Sequence, residues 1–110
     1  MATQEEIRAL IEQMPTRFQP EKAQGINATI QLNLTGDNGG TWWVRIADGK
    51  AEMQPGSASK ADMTLSATAD DMYNVFTGKM NAVSAFMQGK IKVAGDMSLA
   101  IKMQNMFSMG

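Results

Sequence analysis

The stretch WWVRIADGKAEM at residues 42–53 constrains the fold more tightly than any other. Asp48-Gly49 supplies two residues that tolerate positive φ, which a two-residue hairpin turn demands. Closing the turn there sets Ala47 against Lys50, Arg45 against Glu52 and Val44 against Met53. Charge then meets charge on one face and apolar meets apolar on the other, so the register is self-consistent. Upstream, Ile26, Ala28, Ile30, Leu32 and Leu34 alternate with polar residues through Thr35, the period of a half-buried strand. GDNGG at 36–40 turns that strand into the hairpin.

Helices flank this core of strands. Thr3 and Glu6 form a capping box, and Ile7, Leu10, Ile11 and Met14 recur at helical spacing until Pro15. Residues 15–25 read as a connector. Met63, Leu65 and Ala67 share one side of a strand at 62–67. Thr68 caps a helix with Met72, Val75 and Phe76 inward, ending at Gly78. Asn81 starts a short helix expected to turn Val83, Phe86 and Met87 inward before Gly89. A last strand at 90–94 leads to Asp96, the cap of a last helix. The order predicts an α+β fold, with a mainly antiparallel five-stranded sheet covered by helices on one face, in a single domain spanning 1–110.

The residue types that are absent narrow the chemistry. With no cysteine and no histidine there is no thiol nucleophile, no imidazole base and no Cys or His metal site, so neither an enzyme, a metal nor a cofactor is expected. Gly78-Lys79 and Gly89-Lys90 lack the upstream glycine and following Ser or Thr of a phosphate loop; they read as helix ends. Asp70-Asp71 sits in a first helical turn, where acids belong for dipole reasons. Trp42 and Trp43 must point to opposite faces of their strand, and only Arg45 lies near them. With a net charge of −1, nucleic acid is not an expected partner. No apolar run reaches membrane-span length, the N-terminus is too acidic for a signal peptide, and Ser108-Met109-Gly110 is not a peroxisomal address, so the expected location is cytoplasmic.

The last helix carries more apolar surface than a sheet alone can use. On a helical wheel Met97, Leu99, Ala100, Ile101, Met103, Met106 and Phe107 span roughly 220°, against the ~100° stripe that covers one sheet. The surplus must face another helix, a partner chain, a membrane or an enclosed ligand. Gln104 falls inside the arc and needs a hydrogen-bond partner. Eleven of 110 residues are methionine, suited either to filling core gaps or to contents that change. Charge is also uneven: residues 79–110 hold four lysines and one aspartate, net +3, while residues 1–78 hold six bases and ten acids, net −4. Such a basic segment favours transient contact with anionic membranes.

ADMTL at 61–65, TGKMN at 77–81, SAFMQGKIKVAGDMSLAIKMQN at 84–105 and the hairpin at 42–53 together resemble the sterol carrier protein 2 domain family. The resemblance implies helices that enclose an apolar tunnel closed in part by the C-terminal helix. It also implies non-catalytic binding and transfer of a lipid or fatty acyl ligand: fatty acid, fatty acyl-CoA, sterol, phospholipid or isoprenoid lipid. Carried over by position, the wall comprises Phe76, Val83, Phe86, Met87, Leu99, Met103 and Met106, with Gln88 and Gln104 as polar contacts for a head group. Arg17, Lys22 and Gln24 are further candidates for a carboxylate at the opening. An empty tunnel of ~300 Å³ would destabilise by about 7 kcal/mol. The competing reading is a protein-interaction or homodimerisation module; another is an accessory factor presenting lipid to a quinone or lipid-metabolising enzyme.

Overall fold

In the computed structural model residues 3–106 are described, except for the side chains of Gln104 and Asn105. The chain runs α1 (Gln4–Gln13), 3-10 turns at Met14–Arg17 and Pro20–Lys22, β1 (Ala28–Thr35), β2 (Gly40–Ala47), β3 (Lys50–Pro55) and β4 (Met63–Thr68). It continues through α2 (Ala69–Phe76), α3 (Ala82–Met87), β5 (Ile91–Gly95) and α4 (Met97–Met106). The spatial order of the five strands is β3-β2-β1-β4-β5. Every pairing is antiparallel except β1 with β4, the two strands at the centre of the fold's connectivity.

The hairpin register is the one its sequence predicts: Ala47 pairs with Lys50, Arg45 with Glu52 and Val44 with Met53. Asp48 and Gly49 take φ of 54° and 72°, both left-handed, so the turn twists with its strands. Ile30 lies beside Val44 and Met63, and Leu32 beside Leu65, which itself faces Val93. One sheet face is therefore continuously apolar, and the helices cover it. Its opposite face carries Thr29, Arg45, Glu52, Ser66 and Lys92, with Arg45 hydrogen-bonded to Asn27 and Thr29.

The helix caps also match the sequence. Thr3 and Glu6 exchange both capping-box hydrogen bonds, at 2.9 and 3.1 Å, and Thr68 accepts from the Asp71 amide. Asn81 accepts from the Val83 and Ser84 amides, and Asp96 from those of Ser98 and Leu99. The connector at 15–25 is more ordered than its Pro and Gly content suggests. Its two 3-10 turns each begin at or beside a proline, which presets φ for such a turn.

Packing of α3 corrects one expectation. Ala85 is fully buried and Ala82 half-buried, while Val83 and Met87 point outward, Met87 being 79% exposed. Val83 and Met87 are one turn apart and so share a side; seating the two alanines inward lets this six-residue helix approach β5 closely. Phe86, also expected inward, lies at the boundary with 41% exposure. In α2, by contrast, Met72, Val75 and Phe76 are all buried as expected.

Candidate functional site

The apolar core divides in two. One cluster joins Ile7, Leu10 and Met14 to Leu34, Met72, Val75, Phe76 and Ala85. A second joins Ala23, Ile30, Val44, Ile46 and Met63 to Leu99 and Met106 of α4. Met53, Leu65 and Val93 touch both. Between the clusters the helices do not meet the sheet closely, and a cavity of about 140 Å³ remains.

The sheet forms its floor: β1 and β2 give Ile30, Leu32 and Val44, β3 gives Met53, and β4 and β5 give Leu65, Ile91 and Val93. Met14, Met72 and Val75 close one side, and Ala82 and Phe86 of α3 stand opposite Met97, Ala100, Ile101 and Met103 of α4. No lining residue is polar or charged. Phe86, Met97 and Ile101 are solvent-exposed as well as lining, which puts the mouth between α3 and α4.

Among the side chains singled out from the sequence, Phe86 and Met103 line this cavity. Phe76, Leu99 and Met106 are buried in the two clusters that bound it. Val83, Met87 and Gln88 are exposed, with Gln88 forming the C-cap of α3. The side chain of Gln104, and Phe107 altogether, lie outside the described residues. Arg17 donates to the Phe76 carbonyl at 3.2 Å and lies 4.1 Å over the Phe76 ring, while Lys22 and Gln24 are exposed; none of the three lines the cavity. The floor residues went unnamed as site residues, although their alternation marked them as inward-facing. Met97, Ala100 and Ile101 belong to the over-wide apolar arc of the last helix without being named as wall, and Met14 carried no sequence signal beyond helical spacing.

Alpha-helix α4 is held at both ends. At its start the Ser98 hydroxyl and the Leu99 amide hold the Asp96 carboxyl below the usual carboxylate range. At its other end the Gln19 amide donates to the Met106 carbonyl at 2.6 Å. Gly95, joining β5 to α4, has φ of 99°, and a Cβ there would lie 2.5 Å from the Asp62 carbonyl oxygen, so only glycine fits. The wall formed by α4 thus starts from a fixed corner. Among the described residues no group of three acidic, His or Cys side chains could hold a metal, and no helix is long and apolar enough to cross a membrane.

Comparison with known proteins places this geometry. The model of the SCP-2 sterol transfer family matches residues 7–108. Sterol carrier protein 2 of Oryctolagus cuniculus is 40% identical over 101 residues, covering 92% of this chain and 18% of that protein. Hydroxysteroid dehydrogenase-like protein 2 of Xenopus tropicalis is 38% identical over 95 residues, covering 86% of this chain and 22% of that protein. The chain therefore spans about a fifth of the length of these curated relatives. Among solved structures, palmitated SCP2L2 of Aedes aegypti has a TM-score of 0.74 and 26% identity, covering 87% of this chain and 88% of that one. On the strength of a family match running from α1 through α4, the chain belongs to the SCP-2 sterol transfer family.

Proposed function

We propose that this chain is a non-catalytic lipid carrier that takes an apolar chain into the cavity between its two core clusters and leaves the polar head at the mouth. Family membership implies lipid binding; the wholly apolar lining carries the finer reading. Such a wall offers neither a proton donor nor a nucleophile to a bound molecule, and it gives a buried head group nothing to pair with. A linear acyl or isoprenoid chain fits the reading better than a rigid sterol. A void near 150 Å³ holds about one small aromatic ring, whereas an alkyl chain can thread between mobile methionines. The palmitated state of the Aedes aegypti relative supports an acyl ligand.

Left without ligand, such a cavity would cost stability. At ~24 cal/mol per Å³, 140 Å³ destabilises by about 3 kcal/mol, less than the larger tunnel anticipated but a substantial part of a small domain's stability. Ligand that fills it recovers this energy. Palmitate at about a hundred times its Kd should raise Tm by roughly 10 °C, and gently purified protein should show a lipid adduct in native mass spectrometry. Absence of both across fatty acid, acyl-CoA, sterol and isoprenoid panels would overturn the carrier reading. In this reading α4, which supplies Met97, Ala100, Ile101 and Met103, is the wall that moves to admit the chain.

A further inference from the structure

Among the described residues the large apolar side chains left exposed are Val83, Phe86, Met87, Met97 and Ile101. All five belong to α3 and α4, and three of them line the cavity. Val83 and Met87 have no part in the lining, so the cavity does not account for their exposure. The nearby sequence is basic. Lys90 lies three residues beyond α3 and Lys102 adjoins Ile101; of the four lysines in residues 79–110, Lys92 is on the opposite face of the sheet, which leaves Lys79, Lys90 and Lys102 against the single acid Asp96. The first helix is the reverse: α1 holds Glu5, Glu6 and Glu12 against Arg8.

We propose that the α3–α4 face is a docking surface for anionic lipid bilayers, so that the mouth opens onto the membrane and an apolar chain passes without crossing water. Apolar side chains entering the acyl boundary and lysines beside anionic head groups form the two-part signal that interfacial binding requires. A second copy is the poorer occupant. Two identical faces meeting about a twofold axis would set one net positive segment against another, whereas an anionic surface complements both. The proposal rests on the carrier reading for what enters the cavity, but docking itself does not depend on it.

The test is co-sedimentation of the full chain with phosphatidylcholine vesicles, with and without phosphatidylserine, alongside binding of radiolabelled palmitate in vesicle-free solution. The wild type should bind the anionic vesicles, with affinity falling as salt rises. Met87→Glu should weaken vesicle binding by at least about tenfold while leaving palmitate affinity unchanged, because Met87 is exposed and outside the lining. Lys102→Ala should weaken it by about fivefold. Val83→Asp offers an independent surface substitution with the same expected direction. Wild-type protein indifferent to both vesicle types, or variants that bind vesicles as the wild type does, would overturn the proposal. So would a concentration-dependent dimer abolished by Met87→Glu, which would assign the face to a second copy. Loss of palmitate binding in the wild type with vesicle binding intact would sink the carrier reading and leave docking standing.

Discussion

Gln31 is the one buried polar residue of the described core, on the face of β1 turned away from the cavity. The two hydrogens of its amide nitrogen are shared among three acceptors, the carbonyls of Trp42 and Gly56 and the Asn33 side-chain oxygen, and its oxygen accepts from the Ala58 amide at 2.8 Å. One side chain thereby pins the segment after β3 across the outer sheet. Gln31→Leu would leave the Ala58 amide without that acceptor and two backbone carbonyls with less than their full complement, costing roughly 2–3 kcal/mol. Denaturant unfolding should show that loss, with amide exchange accelerating first at residues 56–60. Alternation marked Gln31 correctly as facing away from the apolar core. Its burial was not legible, because the cover comes from a loop distant in sequence.

Helix ends decide how the elements respond to acid. Glu6 is held below the usual carboxylate range by the Thr3 amide and, across the α1–α2 contact, by the Tyr73 hydroxyl. Asp96 is held low by Ser98 and Leu99, and Tyr73 is pushed up by its bond to Glu6. For the two carboxylates the folded chain favours the charged form. Their contribution is full above the ordinary carboxylate pKa of about 4 and is lost as pH falls through the lowered folded values. Tyr73 has the opposite sign, its contribution lost only as pH rises through its raised value, above about 10. Tm should therefore begin to fall near about pH 5 and keep falling as pH drops through the lowered folded values, and Asp96→Asn should flatten that slope. A slope identical in the variant would remove Asp96 from the account. These caps were legible because a cap is a contact between residues two or three apart. The facing of α3 was not: six residues complete less than two turns, too few for periodicity to choose between the alanine side and the valine-methionine side.

At the scale of the whole molecule, the gap between two packed clusters is what the sequence could least reveal. Periodicity tells which side of an element is apolar, not how near the facing layer comes. The over-wide apolar arc of α4 hinted at surplus, and its Met97 and Ile101 do face the mouth, but only the packed layers show that the surplus borders a void. Ala100, half-buried on that wall, offers a test. Ala100→Leu fills part of the cavity and should stabilise the ligand-free protein by about 1–2 kcal/mol, while lowering palmitate affinity at least tenfold. A variant that gains no stability yet binds palmitate normally would mean that the leucine side chain points elsewhere.

The strand order has a bearing on solubility. A chain that shows oily side chains at its mouth cannot also leave inviting sheet margins, since each would recruit neighbours into aggregates. Here the marginal strands are poor templates: β3 carries Lys50 and Glu52 and ends on Pro55, while β5 has five residues, Lys92 among them, and stops at Gly95. Charge, proline and brevity each discourage another strand from adding on. Exposed apolar surface among the described large side chains is thereby left to α3 and α4 rather than to the sheet margins, and variants that neutralise Lys50 or Lys92 should aggregate sooner on storage with palmitate affinity unchanged.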